Sequence, residues 1–222
     1  SNMRRLNQGQ EFPEIVPYSP ACYHCIHPYF LQDQLKRSLE RMQTKYVDVY
    51  LLHNPEYYLM HSIKKVNDRD KDTYVEEMQK RIGKAFDALE REVKNRTIKS
   101  YGISSNSFSV IEEDMHFLAY RGLIKLAEDA AAKAGNAEHS FKYVQMPANM
   151  LETVGLNNFA PWAASNGLKV LINRPLNANF SNRLYRLATY KKPEAFKETF
   201  SSIKAHFLGN GNREIPRIRR QR

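Results

Sequence analysis

Between residues 29 and 172, short β-prone runs alternate strictly with longer segments of helical period, and that order specifies a parallel sheet with helical crossovers. Phe30, Leu31, Leu35, Leu39 and Met42 recur every three or four residues. Their spacing predicts a helix over 29–43 with Pro28 at its entrance. The run from Tyr46 to Leu52 is too short for a helix, suits a strand covered on both faces, and ends at His53. From Asn54-Pro55 to Lys71 the chain is polar and reads as a loop. Val75, Met78, Ile82, Phe86, Leu89 and Val93 then mark the clearest helix. Ile98 to Ser104 reads as the second strand, Asn106-Ser107 as a turn, and 115–134 as an Ala-rich helix. A third strand over 141–144, a short helix over 158–166 and a fourth strand over 168–172 follow. Phe196, Phe200, Ile203 and Phe207 mark a last amphipathic helix before a basic tail. A complete (β/α)8 barrel needs eight such units in about 250 residues. Periodicity therefore leaves half a barrel or a four-stranded α/β sheet.

Composition narrows the partners. In 222 residues, 42% of them hydrophobic, there is enough apolar material for a core. No apolar run approaches the roughly 20 residues that span a bilayer, so no membrane association is expected. Two cysteines make no disulfide framework and point to a reducing compartment, with the cytoplasm as the expected location. The formal charge of +10 is concentrated in residues 183–222, where 11 Lys+Arg face 3 Asp+Glu, leaving residues 1–182 nearly neutral. No zinc-finger, RNA-recognition or helix-turn-helix pattern accompanies this tail, so nucleic acid is not expected as a partner. Cys22, His24, Cys25 and His27 crowd into six residues, whereas structural zinc draws ligands from two separated segments; no metal is expected. No Gly-rich turn follows any strand, which excludes a Rossmann fingerprint and a phosphate-binding loop. Tyr57 and Tyr58 read as packing residues.

In parallel α/β folds ligands gather at the carboxyl ends of the strands. The residues ending the four apolar runs are all polar: His53, Ser104 with Ser105, Gln145, and Asn173 with Arg174. Histidine there serves as a hydrogen-bond donor or general acid/base near neutral pH, and an amide with hydroxyls suits a planar carboxamide.

These segments resemble the aldo-keto reductase family. Ser38 to Met42 followed by Tyr46 to Glu56, ending Leu51-Leu52-His53-Asn54-Pro55-Glu56, is similar to its helix, strand and active-site histidine. Tyr101 to Asn106, Val144 to Glu152 and Val170 to Asn177 resemble its later strands in order and spacing. His24 to Pro28 resembles a segment of one branch. The resemblance covers residues 8–190 and implies a (β/α)8 barrel of which the fourth to seventh strands are recognised. Residues 1–190 then form a partial barrel domain, and 191–222 a helix and basic tail. It also implies hydride transfer from NADPH to a small aldehyde or ketone, with a tyrosine protonating the oxygen, aided by a lysine, an aspartate and a histidine. His53 matches the histidine. Ser104 and Gln145 match positions that bind the nicotinamide carboxamide, Ser105 stands where many members have Asn, and Asn173, next to Arg174, stands where many members stack a tyrosine.

The three family strands carrying the aspartate, tyrosine and lysine have no counterpart in the sequence, and neither does the adenosine-phosphate segment. Arg183, Arg186, Lys191 and Lys192 offer charge for that phosphate without a motif. Three explanations stay open: part of a longer chain, a deliberate fragment, or a truncated, non-catalytic module that binds or assembles. Open strand edges on a half-barrel predict a homo-oligomer that covers them.

Overall fold

Strand β3 (Val47–His53), β4 (Ile98–Ser104), β5 (Phe141–Pro147) and β6 (Lys169–Asn173) form one parallel sheet in the order β3-β4-β5-β6. The structure is a computed structural model that describes residues 12–63, 71–180 and 183–188. Before the sheet come an antiparallel hairpin, β1 (Val16–Ser19) and β2 (Cys22–His24), and helix α1 (Pro28–Met42). Helix α2 (Tyr57–Ile63) and α3 (Lys71–Lys94) join β3 to β4. Helix α4 (Leu123–Ala134) leads to β5, and α5 (Val154–Asn157) and α6 (Phe159–Ser165) lead to β6. A second antiparallel ribbon, β7 (Asn177–Phe180) and β8 (Arg183–Arg186), ends the described chain. All these elements belong to one unit, residues 1–187.

The strand order separates consecutive barrel strands from a doubly wound sheet. When sequential parallel strands are all joined by right-handed crossovers, every crossover helix falls on the same face. The helices follow this rule: α1 packs on α3, α3 on α4, and α6 against β6. A doubly wound sheet reverses direction and covers both faces; this one does not reverse. The arrangement is that of consecutive strands in a (β/α)8 barrel, with helices outside and the other sheet face turned to the barrel axis.

The helix-covered face holds the core. Phe86 of α3, Tyr101 of β4 and Phe141 of β5 meet with ring centroids 5.0 Å, 5.0 Å and 5.8 Å apart, and all three are fully buried. Met78, Ile82 and Leu89 extend the same stripe of α3 onto Leu52, Ile103 and Val144. Truncating one such ring to Ala costs about 3–5 kcal/mol.

Several expected boundaries move for local reasons. Pro28 occupies the first turn of α1, and His27 caps it by accepting from the Tyr29 amide at 3.3 Å. The stretch read as a loop after Asn54 contains α2. Seven residues make a marginal helix alone, but Tyr18 of β1 stacks on Tyr57 at 3.9 Å and donates to Met60 Sδ at 3.8 Å. Tertiary packing supplies what local propensity lacks. The Ala-rich helix begins at Leu123 rather than at 115, because the Asp114 carboxylate accepts from the His116 amide at 2.7 Å and holds a turn there. Both ribbons, β1-β2 and β7-β8, escaped the sequence reading, and the expected helix around 196–207 and the basic tail lie outside the described residues.

At Gly102 the backbones of β4 and β5 approach so closely that a Cβ would overlap the Tyr143 carbonyl, with Leu51 Cδ2 also within 2.9 Å. The Gly102→Ala variant therefore loses about 1–3 kcal/mol of stability, more if β4-β5 pairing separates. Urea denaturation followed by circular dichroism measures the loss.

Candidate functional site

Register places the polar strand ends together. His53 pairs with Ser104, Ser104 with Gln145, and Gln145 with Leu171, forming one row across all four strands. Side chains alternate faces along a strand. Leu52, Ile103, Val144 and Met146 are buried under the helices, so the neighbouring His53, Ser104 and Gln145 project to the opposite, barrel-axis face. Leu51, Gly102, Tyr143 and Lys169 form the next row down, where Lys169 Nζ lies 3.5 Å from the Tyr143 hydroxyl.

Within the upper row the Ser104 hydroxyl donates to Gln145 Oε1 at 2.8 Å. That bond leaves the Gln145 NH2 as donor and the serine oxygen as acceptor. The strand exits are also tied to one another: the Asn54 amide donates to the Ser104 carbonyl at 2.7 Å and the Ser105 amide to the Gln145 carbonyl at 3.0 Å. His53 is exposed, and its carbonyl accepts from His24 Nε2 at 2.6 Å. This bond assigns the Nε2–H tautomer to His24, whose pKa burial depresses below the ordinary histidine value. Hairpin β1-β2 thereby fixes the end of β3.

The other expected residues have firm partners nearby. Ser105 Oγ caps a 3-10 turn over Asn106–Ser109 by accepting from the Ser107 amide at 3.0 Å. Asn173 ends β6 with Oδ1 buried and without a hydrogen-bond partner. Arg174 adopts φ 58°, and its Nη2 reaches Glu152 Oε1 at 2.9 Å while its Nε is buried and unpartnered. Glu152 also accepts from Asn149 Nδ2 at 2.6 Å and from the Asn179 amide at 3.1 Å, tying β7 to the end of β5.

The row of His53, Ser104 and Gln145 is what the sequence led us to expect, and Asn173 and Arg174 lie at the end of the adjoining strand. Sequence reasoning missed three participants. His24 was weighed as a zinc ligand and quoted in the family-like segment before α1, without a link to the end of β3. Glu56 followed a proline in what read as solvated loop, yet it is 0% exposed. Glu152 ended the family-like segment Val144 to Glu152 without being weighed as a site residue.

The Gln145 NH2 and the Ser104 oxygen, set beside each other by the Ser104–Gln145 bond, offer a donor and an acceptor to a planar carboxamide, which has one acceptor and two N–H donors. The described residues fit the nicotinamide end of a dinucleotide in this respect. Among the described residues no group of three or more His, Cys, Asp or Glu side chains is placed to hold a metal ion, and no helix is long and apolar enough to cross a membrane.

The family model described as the aldo/keto reductase family matches residues 23–204. Among solved structures, the chain is similar to a glycerol dehydrogenase from Gluconobacter oxydans, with 15% identity over 72% of this chain and 37% of that chain and a TM-score of 0.41. It is similar to an aldo-keto reductase from Bacillus halodurans, with 21% identity over 73% of this chain and 46% of that one and a TM-score of 0.40. An aldo/keto reductase from Klebsiella pneumoniae in complex with NADP and acetate shares 18% identity over 63% of this chain and 35% of that one, with a TM-score of 0.37. The chain thus spans less than half the length of each. No curated protein matches the sequence.

The thiols beside the site differ in burial. Burial pushes Cys25 up to about 11, and its Sγ lies 3.4 Å from both the Pro13 carbonyl and the His27 amide, whereas Cys22 is half-buried. Because the thiolate is the reactive form, iodoacetamide at pH 8 modifies Cys22 and spares Cys25 until the chain is unfolded. Peptide mass mapping distinguishes the two; equal labelling contradicts the expectation.

Proposed function

The chain belongs to the aldo/keto reductase family, and from that premise we propose that it contributes the nicotinamide-binding and carbonyl-orienting part of an NADP(H)-dependent reductase acting on small aldehydes or ketones. The observation that carries this reading is the single cross-strand row of His53, Ser104 and Gln145 on the barrel-axis face.

When bound, the nicotinamide would supply the hydride. Ser104 and Gln145 would hold its carboxamide, the free Gln145 NH2 offering a donor and the serine oxygen an acceptor. Ser105 would keep the backbone of the same turn in place. His53, on the neighbouring strand, donates to the substrate oxygen and fixes which face of the carbonyl meets the ring; hydrogen bonding also polarises the C=O bond. Cationic side chains such as Arg174 and Arg183 add a favourable field for the cofactor's phosphates.

Of the four catalytic positions of the family, His53 is the one this sequence matches. A second reading, a non-catalytic module that binds or assembles, rests on the open edges of the sheet. Among the described residues strands β3 and β6 are the edges of the sheet, and Leu171 and Ile172 of β6 remain 37% and 48% exposed. An apolar edge strand seeks a partner, so in the working assembly we propose that further strands or a second copy cover these edges.

Calorimetric titration of the 222-residue chain with NADPH tests the first reading. Binding is expected, Gln145→Ala weakens it about tenfold, the loss of one hydrogen-bonded pair at about 1.4 kcal/mol, and His53→Ala leaves it within about twofold. Absence of NADPH binding overturns the reading. NADPH binding without oxidation by a panel of small aldehydes selects the non-catalytic module.

A further inference from the structure

Glu56 is completely buried at the junction between the two loops that carry the proposed site. It lies three residues beyond His53, and its Oε1 accepts from the Asn106 amide at 3.2 Å, in the turn that follows Ser104 and Ser105. Its Oε2 has no hydrogen-bond partner, and neither has the buried Ser107 Oγ of the same turn. A buried carboxylate with half of its acceptor capacity unused is costly to keep ionised.

We propose that Glu56 is a positioning residue that, while protonated, latches the Ser105–Ser107 turn to the exit of β3, and that its ionisation releases the turn. The inference rests on the reading that this turn helps to hold the nicotinamide.

The surroundings agree with the geometry. Burial pushes the Glu56 carboxyl up to about 7, against smaller opposing effects of its own amide, the Ser105 hydroxyl and the amides of Asn106 and Ser107. From α2 the ionisable group that feels its charge is the Tyr57 phenol. No Lys, Arg or His side chain is among the groups acting on Glu56 within the described residues. The value in the closed turn lies above that of a hydrated carboxyl, so the closed form holds a proton that the open form has lost. Closure is thus fully favoured below about pH 4.5 and loses that advantage as pH rises to about 7.

The test combines amide hydrogen exchange with NADPH titration, on the full chain and on Glu56→Gln, which keeps the shape and cannot ionise. Between pH 6 and pH 8 the amides of Asn106 and Ser107 are expected to open about tenfold more, beyond the intrinsic change in exchange rate, and Glu56→Gln is expected to show no excess. NADPH affinity falls in parallel in the unmodified chain and stays level in Glu56→Gln. If the two proteins show the same pH dependence of exchange, the latch is overturned, whatever NADPH does. If exchange behaves as expected and NADPH does not bind, the latch stands and the nicotinamide reading falls. Should Glu56→Gln fail to fold, the excess opening in the unmodified chain, present or absent, decides alone.

Discussion

Close approach of β4 and β5 at Gly102 underlies both the core and the candidate site. In a parallel pair the register is specified only by what each residue meets across the gap, and here a residue without a side chain lets the Tyr143 carbonyl come in. A slip of one residue would exchange the two faces of the strand. Tyr101 and Ile103 would leave the helices, and Ser104 would turn into the core. The same register that buries Tyr101 against Phe86 therefore sets Ser104 opposite Gln145 and His53 opposite Ser104. Packing on one face and chemistry on the other follow from one contact.

Two buried carboxylates of this chain show how burial separates a structural role from a poised one. Glu90 of α3 is as deeply buried as Glu56, but each of its oxygens has a short partner: the Ser140 amide at 2.7 Å on Oε1 and Asn136 Nδ2 at 2.7 Å on Oε2. It ties α3 to the chain entering β5 and stays there. Glu56 lacks the second half of such a set. Similar burial with different completion gives the first a full set of partners and the second a reason to bind a proton.

How much of this was legible follows from the range of the interactions. Helix α3 and strands β3, β4 and β6 were visible because their apolar period is written in consecutive residues such as Met78, Ile82, Phe86 and Leu89. The polar strand ends were visible for the same reason, since each closes an apolar run. Helix α2 and the ribbon β1-β2 were not, because each is held by the other: Tyr18 stacks on Tyr57, residues 39 positions apart. Burial of Glu56 was equally hidden, as His-Asn-Pro-Glu has the composition of a solvated turn, and only the distant 3-10 turn over Asn106–Ser109 closes over it. Local period reads out; mutual support between distant short segments does not.

The two edge strands leave the sheet by the same backbone turn, and comparing them clarifies what Arg174 is for. The residue after His53 is Asn54 with φ 49°, and the residue after Asn173 is Arg174 with φ 58°. Asn enters the left-handed region with little penalty, whereas Arg incurs strain of order 1 kcal/mol. At β6 that strain is offset by Glu152, which takes the guanidinium at 2.9 Å, and by Asn149, whose Nδ2 donates to the Arg174 and Asn177 carbonyls at 3.3 Å and 3.1 Å. The arginine is thereby held by a network that also anchors β7, and its guanidinium has limited reach toward a ligand. Its charge still contributes to the field at the strand ends, but a direct grip on phosphate calls for a cation on a less constrained element, such as Arg183 on the exposed strand β8. Strain at the exit of β6 thus separates two tasks that the sequence, showing only Asn-Arg-Pro, presents as one.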